Sequence, residues 1–382
     1  MTSNRPRDVF IVANNIEDLG GVIRFSHTLA RLLSEQGHRV RLIGATHPRD
    51  AFDYGSDLPY ETYVLSDRHP PGNTNPRGLR YFDPRMHARR FVRLLVQSAG
   101  ARRLSRLLRE ARPGGVVIVT QVYAMEWVSR ADTRGLHVIG MSHESFAASK
   151  DSSRMERVLR FYRDVDRLLV LTQADADDWA LEGLTQVAFM PNPIGLQAAE
   201  VSAVSDKVVV SLGRLSWEKG FDLLLDAWAE VAGQFPDWSL DLYGDGPDEA
   251  DLRAQCERLG LTTVNFRGRT SDVPGVLERA SVYALASRHE GMPVVLTEAL
   301  EFGVPCVAFD ASPGVREVVT HGSDGFVVTP GNTTRFAEAL AVLMSDQSRR
   351  QRFGQHGHES MRRFAPEHVT ARWEEEFRLL DL

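Results

Sequence analysis

The sequence predicts an α/β chain of two doubly wound domains, each a parallel sheet covered by helices on both faces. Three observations predict it. Short apolar runs alternate with helix-patterned segments along most of the chain. The alternation stops at a Pro-punctuated break, MPNPI at 190–194, and then starts again. At 382 residues the chain is also too long for one ordinary core.

The elements follow in order. DVFIVAN at 8–14 reads as a buried strand, EDLGG as a turn, and a helix follows over 22–36. HRVRLIGAT at 38–46, VVIVT at 116–120, HVIGMS at 137–142 and DRLLVLT at 166–172 read as further strands. Short apolar strands separated by helices imply a parallel sheet buried on both sides. SDRHPPGNTNPRGL, 66–79, is a long loop by its Pro, Gly and Asn content, and loops of that length commonly carry function. The polar stretch 191–207 reads as a linker between domains at 1–190 and 208–366. Beyond it come VVVSLGRL (strand), FDLLLDAWAEVAGQF (helix), WSLDLYG (strand) and EADLRAQCERLG (helix). TVNFRG and SVYALAS are strands, VLTEALEFG a helix, PCVAFD and GFVVT the last strands, and the tail over 333–380 is mainly helical. Open parallel sheets bind ligands at the carboxyl ends of their strands, so two such domains would offer a cleft there and could close over a ligand.

Composition narrows the function. Net charge is −6, which implies no general attraction to nucleic acid. The first residues lack the apolar core of a signal peptide, and no run approaches the length of a membrane span. A cytoplasmic protein is expected. Cys256 and Cys306 are too few for a disulfide framework or a metal site and read as buried thiols. Only Lys150, Lys207 and Lys219 are lysines, against 42 arginines. Residues 77–112 hold eleven Arg against Asp83 and Glu110. Within them ARRLSRLLREAR puts Leu104, Leu107, Leu108 and Ala111 at helical spacing. Two readings stay open: a basic surface in peripheral contact with the inner face of a membrane, or an Arg-decorated helix with its Leu stripe in the core.

The chemistry concentrates in RHEGMPVVLTEAL, residues 288–300, where Glu290 and Glu298 stand eight residues apart. Pro293 suits the first turn of a helix that carries Glu298 on its second turn, with Glu290 in the loop before it. The amides at that helix start would face an anion. In GRLSWEKG, 213–220, Arg214 and Lys219 follow a strand and could converge on a diphosphate, a planar fork and a point charge against about two negative charges. Gly20 and Gly21 open the first helix without the dinucleotide-binding GxGxxG spacing, and let backbone approach a ligand. His143 lies just past a strand, where a catalytic or binding role competes with a structural one. YGDGP at 243–247 and NFRG at 265–268 could edge a base or serve as plain turns.

Taken together these motifs resemble the retaining GT-B glycosyltransferases of family 4. GG with LARLLSEQGHRV, GRLSWEKGFDLLLDAW, YGDGP, NFRG, EGMPVVLTEAL and DGFVV occur in the family's order over nearly the whole chain. The resemblance implies two Rossmann-like domains, an N-terminal one for the acceptor and a C-terminal one for a nucleotide-sugar donor. It implies a terminal helix, 367–380, returning to the first. Arg214 and Lys219 would bind the donor diphosphate. The backbone of Gly21 and of the segment Met292, Pro293, Val294 and Val295 would contact phosphate and sugar, beside Gly20 and Gly291. Glu290 would hold sugar hydroxyls and Glu298 the ribose. His143 would approach the transferred sugar or the β-phosphate. Gly244, Arg267 and Gly268 would lie near the base. Met292 departs from the aromatic many relatives carry at that point.

The implied reaction moves a hexose from a UDP-sugar to a hydroxyl of a glycan, lipid-linked or cell-envelope acceptor, with retention and without a metal or other cofactor. A nucleotide-sugar epimerase, a phosphorylase of similar architecture and a non-catalytic nucleotide-sugar binder are the alternatives. The four charged residues Arg214, Lys219, Glu290 and Glu298 weigh against the last.

Overall fold

The structure is a computed structural model describing residues 5–18, 20–48, 51–72, 84–150, 152–198 and 200–382. It divides into two compact units. The first comprises residues 1–143, 149–193 and 370–382, the second residues 144–148 and 194–369.

The first unit is built from β1 (Asp8–Ala13), α1 (Gly21–Glu35), β2 (Arg39–Thr46), β3 (Glu61–Ser66), α2 (Pro84–Leu108), β4 (Val116–Val119) and α3 (Val122–Val128). Then come β5 (His137–Ser142), α4 (Phe146–Lys150), α5 (Arg154–Phe161), β6 (Arg167–Val170), α6 (Gln173–Leu181) and β7 (Val187–Phe189). The strands form one parallel sheet in the order β3-β2-β1-β4-β5-β6-β7. Every residue of β1 and β4 is buried, as a sheet covered on both faces requires. β3 and β7 are the edge strands and were not legible in the sequence. ETYVLS is mostly exposed or half-buried, and VAF is only three residues long. Of the loop expected at 66–79, residues 73–79 lie outside the described residues, as do 77–83 of the Arg-rich stretch.

The second unit runs β8 (Val208–Leu212), α7 (Phe221–Val231), β9 (Ser239–Tyr243), α8 (Glu249–Leu259), β10 (Val264–Gly268), α9 (Val273–Arg279) and β11 (Val282–Leu285). It continues through α10 (Val294–Glu301), β12 (Cys306–Phe309), α11 (Pro313–Val318), β13 (Gly325–Val328), α12 (Thr333–Ser345) and α13 (Gln347–Met361). Its sheet is again parallel, in the order β10-β9-β8-β11-β12-β13. Trp228, Leu240, Phe309 and Phe336 centre the core between this sheet and the helices α7 and α12. Cys256 and Cys306 are free, buried thiols, the latter held protonated by burial.

One boundary differs from the sequence reading. Residues 194–207, expected as a linker, are bonded into the second unit. Ile194 N donates to Phe364 O at 3.0 Å, Ser202 N to Phe302 O at 2.8 Å, and Arg350 Nε to Val204 O at 3.0 Å. The last helix, α14 (Pro366–Leu379), places its residues from Thr370 onward in the first unit. There Trp373 and Phe377 are buried, Glu374 meets His38 Nε2 at 2.8 Å and Glu376 meets Arg167 at 3.0 Å.

Candidate active site

The second unit assembles most of the candidate residues at the carboxyl edge of its sheet. β8 ends into Gly213 and Arg214, β9 into Gly244, β10 at Gly268, and β11 into the stretch before α10. The first turn after β8 is a short 3₁₀ segment, Trp217–Lys219, closed by Gly220 with φ +62. A Cβ at Gly220 would lie 2.0 Å from Ala286 O, so only glycine lets this turn press against the end of β11.

That close approach delivers Lys219 to Glu290. Lys219 Nζ donates to Glu290 Oε1 at 2.7 Å, and Ser287 Oγ donates to the same oxygen at 2.6 Å. The carboxylate is nearly buried while the Lys side chain keeps about a third of its surface. Arg214 is exposed, and its charge helps hold the Glu218 carboxyl below its ordinary range, behind hydrogen bonds to the Glu218 backbone and Ser216.

Arg288 is a residue that sequence reasoning passed over. Its guanidinium grips Asp222 with Nη1 at 2.7 Å and Nη2 at 2.6 Å, and Nη1 also donates to Trp217 O at 2.8 Å. Its backbone N donates to Glu218 O at 2.8 Å. One side chain therefore fixes the 217–219 turn against the 287–290 segment. Nothing local in RHEG signals this, because Asp222 is 66 residues away in sequence. Tyr283 was passed over as well. It is fully buried on β11, and its hydroxyl donates to Leu212 O at 3.1 Å, bracing the end of β8. Burial holds its pKa far above the usual value.

The Glu290–Glu298 pair takes the placement its spacing predicts, loop and second helical turn. Glu298 is buried on α10. Pro293, expected in the first turn, is instead the N-cap residue, with φ −71 and ψ 105. Helical dihedrals begin only at Val294, and Pro offers no side-chain acceptor, so α10 starts without a side-chain cap. Gly291 O accepts from Ser312 Oγ at 2.7 Å, and Met292 is buried.

The two weaker motifs are held by backbone geometry and packing. Gly244 has φ +138, and a Cβ there would lie 1.9 Å from Gly213 O, so packing of YGDG on GRL demands glycine. Gly268 has φ +72 at a register shift of β10 on β9. The Arg267 side chain is turned to the sheet, its Nε donating to Asp241 Oδ2 at 2.9 Å.

In the first unit, Gly20 is the N-cap and Gly21 the first residue of α1, and a Cβ at either would meet nothing within 4 Å. Neither the turn nor the packing calls for glycine there. His143 follows β5 and packs edge-on against Phe25 of α1, ring centroids 4.6 Å apart. Its Nε2 is enclosed, with no hydrogen-bond partner among the described residues, and desolvation pulls its pKa down to about 3, so the ring is neutral.

Family models divide the chain between them. "Glycosyltransferase Family 4" matches residues 19–198 and "Glycosyl transferases group 1" matches residues 196–360. The chain belongs to the family-4 glycosyltransferases. It is 29% identical over 352 residues to an uncharacterized glycosyltransferase of Haemophilus influenzae, covering 88% of this chain and 92% of that protein. It is 25% identical to the amylovoran biosynthesis glycosyltransferase AmsD of Erwinia amylovora, covering 96% and 98%. Among solved structures, an S. aureus TarM variant in complex with fondaparinux, α-GlcNAc-glycerol and UDP superposes with a TM-score of 0.80 at 13% identity, over 97% of this chain and 99% of that one. Anabaena HepE in complex with UDP and glucose gives 0.76 at 18%, over 97% and 99%. At those identities the likeness is one of fold, and the fold is GT-B, two Rossmann-like domains. For a glycosyltransferase of this fold, the Lys219–Glu290–Ser287 cluster at the sheet's carboxyl edge is the candidate catalytic centre.

Proposed function

We propose that this glycosyltransferase moves a hexose from a nucleotide diphosphate sugar, with UDP-sugars favoured, to a hydroxyl of a glycan, lipid-linked or cell-envelope acceptor, retaining configuration and needing no metal. The observation that carries the reading is the pairing of Lys219 with Glu290 beside the uncapped start of α10. A cation, a hydroxyl-binding carboxylate and the backbone amides of a helix start together match a sugar bonded to a diphosphate. The UDP held by TarM and by HepE, and the amylovoran biosynthesis named for AmsD, support the choice of nucleotide and acceptor class.

In this reading Arg214 and Lys219 neutralise the diphosphate as the bond to the sugar breaks. The charge that develops on the leaving phosphate meets fixed cations, the largest expected source of acceleration. Among the described residues no group of three or more His, Cys, Asp or Glu could hold a metal ion. The two cations are the groups the proposal gives that task. Lys219 is paired with Glu290; in this reading the donor diphosphate gives Lys219 a second anionic partner, and Glu290 turns towards sugar hydroxyls. The acceptor hydroxyl attacks the face the phosphate leaves, and the phosphate takes its proton. Backbone at Gly21, Gly291 and Met292 to Val295 is assigned to phosphate and sugar, with Gly20 leaving room beside it. Glu298 is assigned to the ribose, and the backbone at Gly244, Arg267 and Gly268 to the base. His143 is assigned to a sugar hydroxyl as a neutral donor or acceptor.

A thermal-shift series with UDP-, GDP- and ADP-sugars tests the nucleotide, with the largest rise expected for a UDP-sugar. NMR of the product's anomeric proton tests retention. An inverted product, or full activity of Arg214→Ala, would overturn the assignment.

A further inference from the structure

Helix α2 is built inside out over its first half. At about 100° per residue, Arg93, Gln97, Ala101, Leu104 and Leu108 share one face, and Ala88, Phe91, Val92, Leu95 and Ala99 the opposite one. The inner face of the second half is ordinary, with Leu104 and Leu108 buried and Arg102, Arg103, Arg106 and Arg109 exposed. That settles the Leu stripe of ARRLSRLLREAR as core. In the first half the polarity reverses. Arg93 is 9% exposed and Gln97 1%, whereas Phe91 is 61% and Leu95 52% exposed, with Val92 and Leu94 also exposed. Arg93 is paired with Glu126, and Gln97 Nε2 donates to the same carboxylate at 3.0 Å. A buried ion pair under an apolar outer surface is the reverse of what water selects, so the outer surface is shaped for a different surrounding.

The charges around that surface choose the surrounding. α2 carries seven Arg and no acidic residue. Arg85, Arg89 and Arg90 are exposed around the apolar patch. Further along the same outer face, an open depression of about 510 Å³ is lined by Ala99, Arg102, Ser105, Arg106 and Arg109. A second copy of this chain would set cation against cation. An anionic lipid bilayer offers acyl chains to Phe91, Val92, Leu94 and Leu95 and phosphates to the arginines.

We propose that the outer face of α2 docks on an anionic lipid bilayer, its first half entering the interface and Arg102, Arg106 and Arg109 seating lipid phosphate. This goes beyond the basic-surface reading of the sequence, because the anchoring side chains are apolar and lie upstream of the Leu stripe. It deepens the proposed lipid-linked acceptor, and its test needs no turnover, so the two can fail separately.

The test is flotation with vesicles of phosphatidylcholine alone or with a third phosphatidylglycerol. The full chain is expected to float with the anionic vesicles and to be released by high salt. Phe91→Ser/Leu95→Ser is expected to lower partitioning about tenfold or more, and Arg102→Gln/Arg106→Gln/Arg109→Gln to erase the preference for anionic lipid. Since Cys256 and Cys306 are buried, a polarity-sensitive dye on Leu95→Cys reports directly. Its emission should shift to the blue on adding anionic vesicles. No flotation of the full chain, unchanged partitioning of the double variant, or unchanged dye emission would each overturn the proposal. So would self-association that the Phe91→Ser/Leu95→Ser change abolishes while the full chain ignores vesicles.

Discussion

Lys219→Met removes the ammonium but keeps most of the side-chain bulk, which separates a charge that acts on the substrate from one that only holds the fold. Nζ sits 2.7 Å from Glu290 Oε1, with Glu290 9% and Lys219 32% exposed at the side chain. A hydrogen bond to a charged group contributes about 1.5–3 kcal/mol net. The water that reaches Lys219 reduces this to about 1–2 kcal/mol, and the Ser287 hydroxyl still serves the carboxylate after the change. For a unit of this size the melting temperature should fall by about 2–8 °C. The catalytic loss should be larger. Removing one fixed charge contact from a developing anion costs about 2.7–4 kcal/mol, a fall of about 10²–10³ in kcat. The assay is initial-rate release of UDP from the sugar nucleotide that gives the largest thermal shift, beside the melting curve of the same preparation. A melting temperature lowered as expected with kcat unchanged would refute the reasoning and leave the pair a structural one.

Four further outcomes can be checked. Arg288→Gln should lower kcat/KM by about ten- to hundred-fold, because the 217–219 turn loses its grip on the 287–290 segment. Conservative rescue by Lys should be poor, since Asp222 receives two parallel bonds, and full activity of Arg288→Lys would argue against the geometry. Gly220→Ala should lower the melting temperature and activity together, whereas a Cβ at Gly213 meets nothing nearer than 3.7 Å and Gly213→Ala should leave the melting temperature in place. Equal melting temperatures for the two would contradict the close packing at Ala286. His143 has a folded pKa of about 3 against about 6.5 unfolded, so below about pH 6.5 the unfolded chain binds the extra proton. Its contribution to stability is whole above that pH and is lost as pH falls towards about 3, at up to about 1.4 kcal/mol per unit. Urea midpoints at pH 7 and 5 should differ less for His143→Asn than for the parent. An identical pH slope would sink this. Glu298→Gln should weaken calorimetric UDP binding more than it slows the bound donor's transfer; an unchanged Kd would remove Glu298 from the ribose.

The candidate site was legible where residues were local to one motif. RHEGMPVVLTEAL gave both acids, and GRLSWEKG gave Lys219, because strand end, glycine and helix start follow one another in the chain. Arg288 and Tyr283 escaped because their partners, Asp222 on α7 and Leu212 on β8, are 66 and 71 residues away in the chain, and side-chain identity alone does not name a distant partner. Edge strands β3 and β7 escaped because exposed or very short strands carry no buried run. The burial of Arg93 and Gln97 escaped as well, because their partner Glu126 is brought to them only by packing.

The sequence by itself determined two parallel α/β domains, most of their strands and the family motifs, since these depend on apolar periodicity and on glycine and proline, which act over a few residues. Only the tertiary structure decided that Lys219 pairs with Glu290, that residues 194–207 join the second unit, and that the first half of α2 faces outward with its apolar side. Each of these turns on which groups are taken out of water together. Burial is a property of the packed chain, and the same Arg, Lys or Leu is stabilised or penalised according to the neighbours that packing supplies.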